Sequence, residues 1–445
     1  MGSLQEQITS AILTMIRARR TASSPPETDS NATHSSGAIV PAKLREARFE
    51  DFDAVAKLKQ RWGLDADSLE NWDRLWRRNP ALTRGEFQRP IGWVLEADGA
   101  VVGYLGNISL QYRYGEKTLS AVTAHGFVVE TLYRAVSLTL AAAFFRQKSV
   151  DLYISNTAID AVGKIALAFR SAPLPQPDYD TVLFWVLRPY PFAQALMTKL
   201  NLKPILSRIG GVLAALAVGT DKVLRRRRPT RSPIPFTMSE ISPNDIGDNF
   251  QELWKEKLSE RPRLLADRRP STLQWHFEIP GDRGCARVLC CHQDGKLIGY
   301  AVIRSDTDQQ TGLRKSVLAD MVVRHDDPEV VRALWAAAYD SAKRGGSHVL
   351  EVLGFPPCIR RVFSERNPYL RKYPSFPFYY KATDPMLHQT LSDGTAWYAS
   401  PFDGDATLIR PSYSSAAKLG CREMQIEKLR DNIVEVPQGE RTQVF

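Results

Sequence analysis

Polar and apolar positions alternate with a two-residue period over Ala42–Ala47 and Gly92–Glu96, and longer apolar runs of strand type cover Val101–Tyr112 and Leu119–Glu130, with turns between them. Phe52–Trp62 instead repeats its apolar positions at helical spacing. Downstream, Ser137–Arg146 predicts a helix, Asp151–Ser155 a strand, Ala158–Phe169 a helix and Thr181–Leu187 a strand. Antiparallel strands followed by strand–helix–strand alternation predict an α/β fold, a mixed central sheet with helices on its faces.

After Pro235 this pattern returns. Asp98-Gly99-Ala100-Val101-Val102-Gly103-Tyr104 matches Asp294-Gly295-Lys296-Leu297-Ile298-Gly299-Tyr300 at four of seven positions. In both, Asp-Gly is a hairpin turn that requires positive φ, and the apolar run after it is the returning strand. Ala124-His125-Gly126-Phe127-Val128-Val129 is echoed by Leu318-Ala319-Asp320-Met321-Val322-Val323, and each precedes a helix, a short strand (151–155 and 348–353) and another helix. The same elements in the same order predict a tandem duplication. The expected organisation is a tail over 1–40, a first domain over 41–190, a connector over 191–234, a second domain over 235–412 and a tail over 413–445. Within the first tail, Ile8, Ile12, Met15 and Ile16 have the spacing of a short amphipathic helix, and 21–40 reads as a linker.

Charge sharpens this division. Lys and Arg total 59 against 49 Asp and Glu, a net +10. Residues 199–231 hold nine Lys/Arg and one Asp, a local +8, which leaves only +2 for the rest of the chain. Their apolar stretch, Ile209–Gly219, is shorter than the roughly 20 residues that span a bilayer. It is read as a helix connecting the domains; the alternative is a basic surface for anionic lipid. Nucleic acid is not expected, for no recognition helix or aromatic-basic interleaving accompanies the charge. Five cysteines without a C-x-x-C pair fit a reducing compartment rather than a disulfide framework or zinc site. The expected address is the cytoplasm, with contact to the inner membrane face as the alternative.

The segment Val129-Glu130-Thr131-Leu132-Tyr133-Arg134-Ala135-Val136-Ser137-Leu138-Thr139 joins a strand to a helix N-terminus, where unpaired N–H groups and the helix dipole favour an anion. Small residues at 135, 137 and 139 admit a phosphate near the backbone, and Arg134 adds a charged donor. Here the chain resembles the GCN5-related N-acetyltransferase (GNAT) superfamily, whose acyl-CoA loop reads V-x-P-x-[YF]-R-G-x-G-x-G/A. Val129, Tyr133 and Arg134 match it. Ala135 replaces a glycine, and Ser137 and Thr139 replace the two signature small positions, adding Cβ atoms but also hydroxyl donors. The resemblance covers about 44–190 and, more loosely, 236–400. It implies two acyl-CoA N-acyltransferase-like domains, possessing a mixed sheet splayed between its fourth and fifth strands, with acyl-CoA in the gap. In the second copy, Val323-Arg324-His325-Asp326-Asp327-Pro328 holds two acids and a proline at the loop, so no CoA is expected there. FemAB-like enzymes and duplicated GNATs share this tandem plan.

By the same resemblance, Val128, Val129, Arg134, Ala135, Val136, Ser137, Leu138, Thr139 and Asn156 would contact acetyl-CoA or another acyl-CoA, as co-substrate and without a metal. The base would be His125 or Glu130, which lie five apart and so on opposite faces of a regular strand; a histidine needs less tuning. Tyr153 is the candidate acid, with a core tyrosine as its structural alternative, and Asn156 is alternatively a helix cap. Cys290-Cys291-His292 reads as packing. Asp403-Gly404-Asp405, after Trp397-Tyr398, resembles a tail of GNAT-like proteins from polysaccharide clusters; two acids so spaced can bind a cationic amine or form a solvated turn. The implied activity is direct acyl transfer, with general-base assistance, to a primary amine on an amino sugar or a cell-envelope or polysaccharide precursor. The alternative is a non-catalytic scaffold of the same fold, docking through the basic connector.

Overall fold

The computed structural model describes residues 40–82, 89–199, 236–281 and 284–409. The tail before 40, most of the connector and its basic run, and the tail after 409 lie outside the described residues. From Pro41 onward the described residues form one unit.

The first half runs β1 (Lys43–Glu46), α1 (Phe52–Arg61), α2 (Leu69–Trp76), β2 (Gly92–Ala97), β3 (Ala100–Tyr114), β4 (Lys117–Val129), α3 (Leu138–Phe145), β5 (Leu152–Ser155), α4 (Asp160–Ala168), β6 (Ala172–Pro173), β7 (Thr181–Val186) and α5 (Pro189–Lys199). The second runs β8 (Thr237–Ile241), α6 (Asp248–Glu260), β9 (Leu264–Ala266), α7 (Pro270–Phe277), β10 (Ala286–Gln293), β11 (Lys296–Thr307), β12 (Arg314–Val323), α8 (Pro328–Arg344), β13 (Val349–Val352), α9 (Pro357–Ser364), β14 (Tyr369–Lys372), β15 (Tyr379–Ala382) and α10 (Pro385–Thr390). The fold is mixed α/β with two helix-flanked sheets, as expected. Both Asp-Gly turns have the positive φ their sequence demands: 50° and 69° at Asp98 and Gly99, 51° and 78° at Asp294 and Gly295.

Strands β1 to β4 form an antiparallel meander, and β5 joins β4 in parallel; β8, β10, β11, β12 and β13 repeat this arrangement. What the local pattern does not foretell is the partner of each half's last strand. β7 pairs with β13 in the second sheet, Val186 opposite Val349, and β15 pairs with β5 in the first, Tyr379 opposite Ser155. The halves thus exchange strands across the boundary drawn at 190, and the largest apolar cluster includes residues of both, Leu152 and Ile154 beside Leu350 and Val352. Separating them would break both ladders and expose that cluster.

Each sheet opens at one seam. The β4–β5 ladder holds only Ala121–Leu152, Val122–Tyr153 and Thr123–Ile154, while β4 continues to Val129 against β3. The β12–β13 ladder likewise stops at Val317–Glu351. Within the first opening, β4 carries a bulge: Tyr104 faces Val128 and Gly106 faces His125, so Gly126 and Phe127 together oppose Leu105. Gly126 adopts φ +71°, a conformation that a side chain disfavours.

Candidate functional site

The bulge decides what β4 presents. Thr123 and His125 precede it on one face, and its extra residue resets the alternation. His125 and Glu130 therefore do not point to opposite faces, as a regular strand requires; both meet residues of α1. Arg61 and the Trp62 indole hold Glu130, at 2.9 and 3.2 Å. His125 instead meets Lys59. Glu130 is thus tied in a surface ion pair and is a poor base, whereas His125, 8% exposed, sits at the opening seam.

Four titratable groups from four parts of the chain converge there. Lys59 Nζ lies 2.7 Å from Asp67 Oδ2 and 3.0 Å from His125 Nε2, and Asp67 Oδ2 lies 3.1 Å from the same nitrogen. Lys59 is brought there by the apolar face of α1, where Val55 and Leu58 are buried beside it. Asp67 comes from the α1–α2 connection, its other oxygen accepting from Asn71 Nδ2 at 2.8 Å. On the far side of the ring, His125 Nδ1 faces Asp405 Oδ2 at 4.0 Å. Burial by itself would raise the Asp67 carboxyl, but the charges and hydrogen bonds of His125 and Lys59 outweigh it and hold Asp67 well below the usual range. Burial raises Asp405, and His125 and the Thr157 hydroxyl offset this only in part.

Asp405 arrives on a segment that passes both seams. Tyr398 OH donates to Met321 O of β12 at 2.9 Å, and Phe355 N, beyond β13, donates to Ala399 O at 3.0 Å, so the second seam is spanned by the protein's own chain. The segment then reaches the first seam, where Asn156 Oδ1 accepts from the amides of Asp405 and Ala406 at 3.1 and 3.2 Å. Asn156 is therefore not a helix cap; Ile159 occupies that position before α4. Neither acid of Asp403-Gly404-Asp405 lies on a solvated turn, since both are buried. Around this cluster, three buried polar atoms lack a protein partner: Tyr104 OH, Thr123 Oγ1 and Asn156 Nδ2.

Tyr153 is elsewhere. It points to the opposite face of β5 from Ile154, packs on Phe144 and Phe145, and donates to Gln147 O at 3.2 Å. Burial pushes its phenol up to about 12. It is the core tyrosine of the alternative reading. Val128 and Val129 are core residues too, so only their backbone can meet a ligand.

The 130–139 segment lies on the α3 side of the seam. A 3-10 turn over Thr131–Val136 precedes α3. Arg134 is exposed, its guanidinium 5.0 Å from the Trp62 ring. Leu132, Val136 and Leu138 are also exposed, forming an apolar rim with Ala135 and Ser137 between them. Of the two hydroxyls expected to serve a phosphate, that of Thr139 is spent, since its Oγ1 donates to Val136 O at 2.6 Å, and the Ser137 amide donates to Arg134 O. In the second half the corresponding position holds an internal anion. Asp326 accepts from Lys257 at 2.6 Å and Arg263 at 2.7 Å, which fills that loop with the chain's own carboxylate. Among the described residues no cluster suits a metal ion, and no helix is long and apolar enough to cross a membrane. Cys290 and Cys291 are buried, with burial pushing their thiols up to about 11 and 12, as packing residues.

No protein-family profile and no curated protein matches the chain. Solved structures do. A GCN5-related N-acetyltransferase from Anabaena variabilis is similar over 77% of this chain and 73% of its own, at 11% identity and a TM-score of 0.49. One from Kribbella flavida gives 79%, 73%, 11% and 0.45. Saccharomyces cerevisiae N-myristoyltransferase with bound myristoyl-CoA and inhibitors gives 79%, 82%, 14% and 0.47. At these values the likeness is one of overall shape, and function has to be argued from this chain's own residues.

Lys59 and Asp67 carry no sequence motif. Their only signal is Gly126, a glycine inside a strand pattern, which marks a bulge or a close approach. A Cβ there would lie 2.7 Å from Lys59 Cε.

Proposed function

We propose that the protein is an acyl-CoA-dependent N-acyltransferase acting through its first seam. The observation that carries this reading is the seating of His125 at the mouth of the β4–β5 opening, between Asp67 and an aspartate supplied from 280 positions further along the chain. Acyl-CoA would approach from the α3 side, with Arg134 and the 135–139 backbone near its phosphates and Asn156 Nδ2 and Thr123 Oγ1 available to its amide or thioester groups.

The acceptor amine would come from the opposite face. When His125 Nε2–H donates to Asp67, the Nδ1 lone pair faces Asp405. The 4.0 Å gap is too long for a direct hydrogen bond. An amine nitrogen set to one side of the gap can donate to both groups. The amine gives a first proton to solvent through His125, its nitrogen attacks the thioester carbon, the C–S bond breaks, and a second proton passes from the nitrogen through His125 to the departing thiolate, which leaves as CoA thiol. The buried Asp405 carboxylate beside the gap favours a cationic amine, in keeping with an amino sugar or other envelope precursor. Duplication is supported by the repeated strand order and the paired hairpins, and the self-filled second seam supports an acceptor-shaping rather than CoA-binding role for that half. The spent Thr139 hydroxyl favours the second reading, a non-catalytic scaffold.

Calorimetric titration of acetyl-CoA into the wild type and Arg134→Ala separates the two. Binding is expected, and the substitution should weaken it at least several-fold. No heat from the wild type at millimolar CoA would sink the enzyme reading, and unchanged binding by the variant would move the phosphate site elsewhere.

A further inference from the structure

We infer that Lys59 is an acyl acceptor within the protein's own site, so that the chain acylates itself on a buried lysine when no external amine is bound. This rests on the acyl-CoA reading above. The ammonium of Lys59, 2% exposed, occupies the position an acceptor amine would take against the other nitrogen of His125, 3.0 Å from Nε2. That separation allows direct proton transfer. A second partner, Asp67, lies 2.7 Å away and orients the amine.

Asp67 Oδ2 contacts both Lys59 Nζ and His125 Nε2, so the ring has two neutral arrangements. With the proton on Nε2 it donates to Asp67 and serves an external amine through Nδ1. With the proton on Nδ1, toward Asp405, the Nε2 lone pair faces Lys59. In that arrangement Nε2 takes a proton from the Lys59 ammonium, and the imidazolium rests between the carboxylates of Asp67 and Asp405. The amine lone pair so exposed attacks the thioester carbon, a C–N bond forms, and the C–S bond breaks. The departing CoA thiolate takes the proton from the imidazolium, the freed Nε2 takes the second proton from the acylated nitrogen and passes it to solvent, and the products are Nε-acyl-Lys59 and CoA thiol.

The bulge is what admits the amine. A side chain at Gly126 would lie 2.9 Å from Lys59 Nζ, so only glycine lets the lysine pack against β4 and reach His125. Thr123 Oγ1 and Asn156 Nδ2, buried and unpartnered, lie along the same seam to hold the thioester. Acylation would neutralise Lys59 and break its pair with Asp67, changing the site that made it.

The full-length protein is incubated with acetyl-CoA, its binding is followed by calorimetry, and its modification is followed by intact-mass measurement and peptide mapping. Lys57, two residues away on the exposed side of α1, is the internal control for unassisted chemical acetylation. The expected result is a gain of one acetyl group at Lys59, at least tenfold ahead of Lys57, and lost in His125→Gln. Binding without modification of Lys59, or modification of Lys57 first, overturns self-acylation and leaves the acyl-CoA reading standing. Absence of binding overturns both.

Discussion

Replacing Asp403 with asparagine should remove a pH-dependent penalty in the tail that links the seams. Asp403 is 1% exposed, and its carboxylate accepts from Ser400 N at 2.8 Å. Burial raises its carboxyl; Arg268, Ser400 and Tyr112 recover part, leaving it at about 6 against an ordinary 3.8. Each tenfold difference in proton affinity is worth roughly 1.4 kcal/mol, so the whole displacement amounts to about 3 kcal/mol. The folded state binds this proton more tightly than the unfolded chain. The associated stability is therefore complete below the ordinary carboxylate value and is lost as pH rises through about 6. Asparagine has a similar shape and does not titrate. Urea unfolding of both proteins between pH 4 and 8, taken as their difference so that shared titrations cancel, should show Asp403→Asn gaining about 2.5 kcal/mol over that interval. A flat difference, or one that falls with pH, would refute the burial account of Asp403.

Three further outcomes follow from the packing. Gly126→Ala places a Cβ against Lys59 and forces a side chain into a left-handed backbone, for a loss of about 1–2 kcal/mol in thermal unfolding from the backbone alone, together with most of any transfer activity. Asp320→Ala leaves Arg268, which pairs with it through two 3.0 Å bonds and is 1% exposed, without its carboxylate. A loss of about 3–5 kcal/mol is expected by denaturant unfolding, and a loss under 1 would show that the pair is not buried in solution. Residues 41–190 expressed alone should aggregate, and co-expressed 236–409 should rescue their solubility; a monomer that unfolds cooperatively by itself would contradict the strand exchange.

The hairpins and helices were legible in the sequence because their signals are local. Asp98-Gly99 dictates a turn wherever its strands go, and Val101–Tyr112 reads as a strand without reference to its neighbours. Helix α2 has local signals too, a Ser68 cap followed by Trp72, Leu75 and Trp76 on one face. The exchange of β7 and β15 was not legible, since Thr181–Val186 has the same apolar pattern whichever sheet receives it. At the site, His125 was reachable by resemblance, but one residue of bulge at Gly126 reversed the face assigned to Glu130. Lys59 and Asp67 carry no pattern at all, because their meeting with His125 is a product of packing. Asp405 was visible as an acid, and its burial was not, for that depends on Asn156, some 250 positions earlier.

The pairing of β5 with β15 has a consequence for synthesis. Ser155 leaves the ribosome 224 residues before its partner Tyr379, an interval of roughly 10–45 s at common elongation rates. During that time the nascent first sheet ends in an uncovered β5 edge beside the very seam proposed for the chemistry. The site is thus finished last, after nearly the whole chain has emerged, and a truncated product could be soluble only with something else lying along that edge.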